Sequence, residues 1–225
     1  MRKLTVLLLL AAGMAWPQCR VIDDFTTGKT QMDLRVSGSG TDTNTQTGSM
    51  IGGLRHVNFF TYANPFLQLG EAKVEKGGPL TVSNGAREFF RLEVFWGIDA
   101  SNNIVPLGYM PSGCDRFRVT FDSNSAVVNF NVQVYTPVAG FQDGINLPPG
   151  PATGLPFCVD FPFSNFVSNT PGAKPNFAAQ GISYMDMVLQ SGPVIGANNF
   201  AITKIETVDS GTAAAAPCAY VASNQ

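Results

Sequence analysis

Apolar and polar residues alternate with a period of two along most of this chain. The clearest segment is REFFRLEVFW at 87–96, in which every second residue from Phe90 to Trp96 is large and apolar. Such alternation is typical of a β-strand with one face in a core and the other in solvent. Weaker segments of this kind recur from 20–25 to 199–208, and none shows the 3.6-residue period of a helix. The pattern predicts an all-β fold with about ten strands in two antiparallel sheets, a β-sandwich of the jelly-roll type.

Some local patterns refine this prediction. Segments 115–122 (DRFRVTFD) and 127–135 (VVNFNVQVY) both alternate around turn residues, which predicts a β-hairpin. The run 37–49 (SGSGTDTNTQTGS) has no large apolar side chain, so we expect a mobile loop there. Segment 157–166 is rich in Phe and contains Pro162, which limits it to an edge strand at best. If its Phe side chains were exposed, they would suit a protein partner.

The first 15 residues differ from the rest of the chain. Arg2 and Lys3 precede an apolar run at 4–12 that is too short to span a bilayer. Gly13 and Ala15 then place small residues at the two positions that a signal peptidase reads. We therefore interpret residues 1–15 as a secretory signal peptide and expect a secreted protein, extracellular or periplasmic.

The remaining 210 residues suit one β-sandwich domain at 16–208, followed by a tail at 209–225 that is tethered through Cys218. Two of the 14 basic residues lie in the signal peptide, so the 16 acidic residues exceed the basic ones by four in the rest. No basic run occurs, which argues against binding to nucleic acid. No second apolar stretch is long enough to predict a membrane span.

Four cysteines are present, and an even number in an exported chain predicts two disulfides. Three pairings are possible. We expect Cys19–Cys218, which would tie the two ends together, and Cys114–Cys158, which would join two long loops. Their spacing does not resemble a zinc site.

The stretch GSMIGGLRHVNFF at 48–60 begins a strand after the polar run. Its glycine pair at 52–53 predicts a kink with positive φ or a close backbone approach. Arg55 then has two candidate partners in the first strand, Asp23 and Asp24, and such a pair would fix the start of the sheet. The alternative is that Arg55 binds a ligand together with the adjacent histidine.

Three segments are similar to a group of secreted bacterial jelly-roll proteins, namely VIDDF at 21–25, MIGGLRHV at 50–57 and NNFAITKIETV at 198–208. This group resembles the galactose-binding-domain and carbohydrate-binding-module superfamily, and many members carry a C-terminal PEP-CTERM sorting tail. The sequence shows no such tail motif. The resemblance implies a galactose-binding-like β-sandwich that recognises a carbohydrate.

The motifs of common enzyme classes are missing from the sequence. His56 is the single histidine, and neither a G-x-S-x-G elbow nor a nucleotide-binding glycine pattern occurs. Glu93 and Asp186 form one conceivable carboxylate pair for glycoside hydrolysis. We expect no catalytic residues and no enzyme activity.

Calcium is the one cofactor that the residues allow. Asp23, Asp24 and Glu206 are possible hard oxygen ligands, although no EF-hand loop pattern is present. The alternative is that Asp24 pairs with Arg55 or is solvated, since calcium needs six or more oxygens.

The polar side of the predicted sheet is the best candidate for a ligand site. Planar polar groups hydrogen-bond paired hydroxyls, and an aromatic ring packs on the face of a sugar. The predicted ligand-binding residues are Arg91, Glu93, Phe95, Arg118, Asn131 and Tyr135. The alternative is an ordinary solvated sheet face.

Three functions remain open from the sequence. The first is a non-catalytic carbohydrate-binding module whose partner is a glycan or another cell-surface component. The second is a structural or adhesive extracellular protein with a protein partner, and the third is a secreted glycan hydrolase. The oligomeric state is left open.

Overall fold

A computed structural model describes most of the chain, and the predicted signal peptide lies outside the described residues. The described ranges are 19–28, 31–63, 69–75, 77–85, 88–151, 154–191, 197–211 and 218–223. In chain order the strands are β1 (Val21–Asp23), β2 (Gln31–Ser37), β3 (Gly40–Thr47), β4 (Leu54–Ala63), β5 (Leu69–Glu75), β6 (Leu80–Asn84), β7 (Phe89–Trp96), β8 (Arg116–Asn124), β9 (Val128–Tyr135), β10 (Gly140–Leu147), β11 (Phe157–Pro162), β12 (Val167–Ser168), β13 (Tyr184–Ser191), β14 (Asn198–Val208) and β15 (Tyr220–Val221). Short 3₁₀ turns occur at Ile51–Gly53 and Phe163–Asn165, and helix α1 covers Phe177–Gln180. None of these described helices has the length and apolar character that crossing a membrane requires.

The strands form two sheets. Sheet A has the order β15-β11-β8-β14-β6-β5-β2, with β1 beside β14, and sheet B has the order β12-β10-β9-β13-β7-β4-β3. Paired strands are antiparallel except β11 and β15, which are parallel. The predicted all-β fold, a two-sheet antiparallel β-sandwich, is confirmed.

The core lies between the sheets and is dominated by Phe side chains. Phe121 of sheet A packs edge-on against Phe130 of sheet B, with ring centroids 5.6 Å apart. Phe90 of sheet B and Phe200 of sheet A also meet across the core, with their rings tilted by 38° and their centroids 5.8 Å apart. Each fully buried Phe contributes about 1.5–3 kcal/mol by leaving water, so the alternating pattern holds the two sheets together.

The predicted hairpin between segments 115–122 and 127–135 is wrong. β8 lies in sheet A, whereas β9 lies in sheet B, so the turn between them crosses the core from one sheet to the other. Both strands have one strongly apolar side, and these sides face each other across the core rather than lying side by side. The outward-facing residues of β8 and β9 are therefore on opposite surfaces of the molecule.

The polar run expected as a loop instead contains strand β3, which pairs with β4 along its whole length. Three of its threonines, Thr41, Thr43 and Thr45, lie on one side of this edge strand. β-branched threonine suits an exposed strand, because the edge needs no apolar side chain in order to pair. The backbone hydrogen bonds to β4 therefore order this run as a strand, although its polar composition is typical of a loop.

The expected disulfide pairing is also wrong, since the structure joins Cys19 to Cys114 and Cys158 to Cys218. Cys19 precedes β1 and Cys114 precedes β8, and both strands pair with the C-terminal part of β14, which brings the two Cα atoms within 5.6 Å. Cys158 lies in β11, whose partner β15 follows Cys218 closely. Cys218 thus anchors the C-terminal segment, and that segment adds β15 to sheet A.

The glycine kink predicted at 52–53 is confirmed, with φ of 71° at Gly52 and 72° at Gly53. The kink leads directly into β4, where Arg55 points into the sandwich. Its partner is Asp23, which confirms the pairing predicted with the first strand.

The Phe-rich segment does not form an exposed patch. Phe157, Phe161 and Phe166 are buried in the core, and Phe163 packs partly against it. Pro162 is the last residue of β11, where the strand ends.

Candidate functional site

The outward side of sheet B carries a regular grid of side chains, which we call the outer face of sheet B. Strand register places them in cross-strand rows, because directly paired residues point to the same side. Thirteen of the eighteen positions carry amides, hydroxyls or aromatic rings. From β10 to β3 the rows are Gln142, Gln133, Asp186, Phe95, His56 and Thr45; then Gly144, Asn131, Val188, Glu93, Asn58 and Thr43; then Asn146, Asn129, Gln190, Arg91, Phe60 and Thr41.

Five of the six residues predicted from the sequence lie on this face. They come from β7 and β9, which are not neighbours, because β13 lies between them. The five are Arg91, Glu93, Phe95, Asn131 and Tyr135.

Arg118 does not belong to this group, and its assignment is corrected. It lies in β8 of sheet A, on the opposite surface, and is 9% exposed. Its guanidinium donates to both oxygens of Asp160, from Nε at 2.8 Å and from Nη2 at 3.0 Å. These hydrogen bonds raise the pKa of Arg118. The reason for the error is the crossing between β8 and β9, which separates Arg118 from Asn131.

A stacked pair of tyrosines stands at one end of the outer face of sheet B. Tyr135 and Tyr184 are directly paired in register, and their rings lie parallel with centroids 4.1 Å apart. Tyr135 donates a hydrogen bond to Oε1 of Gln133 at 2.9 Å. Burial and the neighbouring Tyr135 raise the pKa of Tyr184 to about 12, so both phenols stay neutral. The pair is an aromatic platform with its hydroxyls in reach of polar groups.

Asp186 lies next to this platform, in the same row as Gln133. It is only 7% exposed, and its Oδ1 has no hydrogen-bond partner among the described residues. Burial, and secondarily the Glu93 carboxylate, raises the pKa of Asp186 to about 7, while Arg91 acts in the opposite direction. A buried carboxyl group with an unused oxygen has the capacity to bind a hydroxyl from a ligand.

The centre of the face is organised by an ion pair. Arg91 and Glu93 are two residues apart on β7 and so point the same way, with Nε and Nη2 each 2.6 Å from Oε1. The second carboxylate oxygen, Oε2, accepts from the Asn58 amide at 3.4 Å. Arg91, Glu93 and Asn58 therefore form one hydrogen-bonded polar group in which the two opposite charges are paired.

His56 occupies the β4 side of the face and has structural contacts. Its Nδ1 is 2.7 Å from the Thr45 hydroxyl, and its ring lies 6.0 Å from that of Phe95. Burial lowers the pKa of His56, which favours the neutral ring.

A small cleft borders the tyrosine platform between β9, β10 and β12. Its volume is about 110 Å³, and it is lined by Gln133, Tyr135, Gly140, Phe141, Gln142, Val167, Ser168 and Asn169. The cleft continues the polar and aromatic lining of the face to the edge of the sheet.

Two useful residues of this face are missing from the sequence prediction. Tyr184 is not named there, and Asp186 enters only as a possible partner of Glu93. The alternation in 182–190 places Tyr184, Asp186 and Gln190 on one side, so the signal was present. What the pattern does not show is that β13 lies between β9 and β7.

The predicted calcium ligands are not brought together. Asp23 is buried and bound to Arg55, whereas Asp24 accepts hydrogen bonds from Thr26 in an exposed turn. Glu206 pairs with Lys204 on the outer side of sheet A, at 2.8 Å. Among the described residues no group of three or more His, Cys, Asp or Glu side chains is arranged to hold a metal ion. Asp23, Asp24 and Glu206 therefore do not form one site in this structure, because each carboxylate has a different partner.

Comparison with known proteins gives matches among solved structures only, since no family model and no curated protein matches this chain. The chain is similar to the family 11 carbohydrate-binding module of the cellulosomal cellulase Lic26A-Cel5E of Clostridium thermocellum, with 11% identity, a TM-score of 0.39, and 86% of this chain and 96% of that one covered. A complex of the Clostridium thermocellum family 11 module with a β-1,3-1,4-mixed-linked tetrasaccharide matches at 10% identity and a TM-score of 0.39. This match covers 84% of this chain and 95% of that one. The agarase AgWH50C matches at 12% identity and a TM-score of 0.40, covering 86% of this chain and 25% of the agarase.

Proposed function

We propose that this protein binds a glycan on the outer face of sheet B. The observation that carries the proposal is the stacked Tyr135–Tyr184 pair beside the buried Asp186 carboxyl group, whose Oδ1 has no partner among the described residues. An aromatic ring packs on the apolar face of a sugar, while amide and carboxyl groups hydrogen-bond its hydroxyls. Gln133 and Asn131 supply amides in the adjoining positions.

The remainder of the face supports the same function. Binding sites combine apolar contact area with a few fixed polar groups that orient the ligand. The Arg91–Glu93 pair is held in place by its own hydrogen bonds, so it offers a preorganised surface to hydroxyl groups. Phe95 provides a further ring between Asp186 and His56 in the same row.

Glycan hydrolysis is a second candidate, favoured by one observation. Asp186 has a pKa raised to about 7 and is influenced by the charge of Glu93 on the same face. Glycosidases use such a pair, with one carboxyl group protonated as the acid and the other ionised. However, Glu93 already pairs through Oε1 with Arg91 and accepts at Oε2 from Asn58, so its oxygens are not free for a nucleophile or base. We therefore propose binding without catalysis.

The experiment is a glycan-array screen of residues 16–225, run with calcium and with a chelator. We expect binding to a defined sugar class, and its loss in the Arg91→Ala/Phe95→Ala double variant with the circular dichroism spectrum unchanged. Lys204→Ala, on the outer side of sheet A, is the matched control and should bind as wild type.

Each alternative has its own result in this experiment. A blank array with folded protein contradicts glycan binding and favours a structural or adhesive role with a protein partner. Release of reducing ends from a bound glycan that stops in Glu93→Gln, with binding kept, identifies a hydrolase instead. Binding that the chelator abolishes shows that calcium takes part through residues other than the predicted set.

A further inference from the structure

A second aromatic platform lies at the opposite end of the outer face of sheet B. Phe60 and Tyr62 are two residues apart on β4, and their rings are stacked with centroids 6.3 Å apart and an angle of 6° between their planes. Tyr62 is 57% exposed, and Phe89 at the start of β7 is 37% exposed. These exposed aromatic side chains lie outside the core, so their rings are available to contact a ligand on this face.

The two platforms are separated diagonally across the sheet. Tyr184 is six residues from Gln190 along β13, and Gln190 is in the same cross-strand row as Arg91 and Phe60. At roughly 3.3 Å per residue the separation along the strands is about 20 Å, and the two strand spacings add about 10 Å across them. A single sugar unit cannot contact both platforms, whereas a chain of several units can.

The charge of the face restricts the chemistry of such a chain. Among the described outward-facing residues of sheet B, the charged or titratable side chains besides tyrosine are Arg91, Glu93, Asp186 and His56. Arg91 is the one fixed cation, and it is paired with Glu93. A uronate or sulfate group would therefore meet no available cation and would approach two carboxyl groups, whereas neutral hydroxyls find amides throughout.

We infer that the ligand is an extended, neutral polysaccharide chain that lies diagonally across the outer face of sheet B, from the Tyr135–Tyr184 platform to the Phe60–Tyr62 platform. The inference rests on the proposed glycan-binding function and adds ligand length, ligand charge and a second contact point. The amides and the Arg91–Glu93 pair lie between the platforms and contact the middle of the chain.

The experiment has two arms. In the first, native affinity gels containing galactomannan, xyloglucan or hydroxyethylcellulose are compared with gels containing polygalacturonate or alginate. We expect retardation by at least one neutral polysaccharide and none by the two acidic ones. In the second arm, a hexasaccharide and a disaccharide prepared from the retarding polysaccharide are titrated calorimetrically into wild type, Tyr62→Ala and Tyr62→Phe.

The expected result in the second arm depends on ligand length. Tyr62→Ala should weaken hexasaccharide binding by about tenfold, the effect of losing one well-placed aromatic contact. It should leave disaccharide binding at the Tyr135–Tyr184 platform in place, because a disaccharide reaches one platform only. Tyr62→Phe keeps the ring and should bind the hexasaccharide more tightly than Tyr62→Ala does, which shows that the loss comes from the ring and not from misfolding at this position.

The inference is overturned, with the proposed function intact, if Tyr62→Ala binds the hexasaccharide as tightly as wild type does. It is overturned in its charge component if polygalacturonate or alginate retards the protein as strongly as any neutral polymer. If no polysaccharide retards the protein and the glycan array is also blank, the proposed function itself fails and this inference fails with it.

Discussion

The Arg55 guanidinium and the Asp23 carboxylate form a fully buried ion pair inside one end of the sandwich, with Nη1 2.7 Å from Oδ1 and 2.6 Å from Oδ2. Trp96 donates to the same carboxylate from Nε1 at 2.9 Å, and the Gln46 amide oxygen accepts from Arg55 Nη2. The pair joins β1 in sheet A to β4 in sheet B. It therefore fixes how the first strand and the start of β4 in sheet B are placed relative to each other.

Removing one partner of this pair should be costly. In Arg55→Met the Asp23 carboxylate remains buried without its cation, which typically costs about 3–5 kcal/mol of the free energy of unfolding. Arg35→Met is the matched control, because the Arg35–Asp33 pair is exposed and such pairs contribute about 0–1 kcal/mol. Urea unfolding of the two variants measures both effects, and equal losses would show that Asp23 does not depend on Arg55.

Asp186 should make stability depend on pH. In the folded protein Asp186 stays protonated up to about pH 7, because its pKa is raised to about 7. In the unfolded chain Asp186 loses this proton near its ordinary pKa of 3.8. The folded state therefore binds more protons between these values, and the free energy of unfolding falls as pH rises from about 4 to 7. The full pKa shift of Asp186 corresponds to a change of about 4 kcal/mol in the free energy of unfolding.

Asp186→Asn tests this, because asparagine resembles the protonated acid and does not titrate. Its stability should fall less than that of wild type between pH 4 and 8 in urea unfolding. Asp143, whose pKa burial raises to about 6, contributes with the same sign but is unchanged in the variant. The Arg116 guanidinium lowers the pKa of Asp115 to about 2, so Asp115 titrates below this pH range. Parallel curves for the two proteins would contradict the assignment.

Arg118 should matter for stability and not for the ligand. Arg118→Ala removes two hydrogen bonds to the Asp160 carboxylate, while Arg116 Nη1 remains 3.0 Å from Oδ2. We expect a loss of about 1.5–3 kcal/mol in the free energy of unfolding. Binding of the array-identified glycan should be unchanged at a temperature where the variant is folded, and weakened binding would place Arg118 near the ligand.

The disulfides should be directly visible in a non-reducing peptide map. The expected linked peptides join Cys19 to Cys114 and Cys158 to Cys218. Replacing Cys158 and Cys218 together with Ser should lower stability by about 4 kcal/mol, because the bridge closes a loop with a sequence separation of 60. A peptide joining Cys19 to Cys218 would contradict the observed strand arrangement at β15.

The fold class, and the side of the strand on which several candidate site residues lie, were predictable from the sequence because strand alternation is a local property. The faces of β7 and β9 follow from 87–96 and 127–135, and they correctly place Glu93 and Asn131 on the outward side. A partner for Arg55 in the first strand was also predictable, since an arginine at a strand entry needs a nearby carboxylate and VIDDF offers two, of which the structure selects Asp23.

Neighbour relationships were not predictable, because they depend on which sheet each strand joins. A turn such as the one after Asp122 serves equally well for a hairpin or for a crossing between sheets, and this ambiguity misplaced Arg118. The cysteine pairing failed for the same reason, since it follows from the neighbours of β14 and β11. Strand β3 was missed because its pairing energy comes from the backbone, which the side-chain pattern does not report.

The most direct test of the glycan-binding account is a calorimetric titration of the array-identified glycan into wild type, the Tyr135→Ala/Tyr184→Ala double variant and the Lys204→Ala control. The account predicts that the double variant loses measurable binding while it keeps the wild-type circular dichroism spectrum, and that the control binds as wild type. Unchanged affinity in the folded double variant would contradict it, because the stacked tyrosines would then not be part of the binding surface.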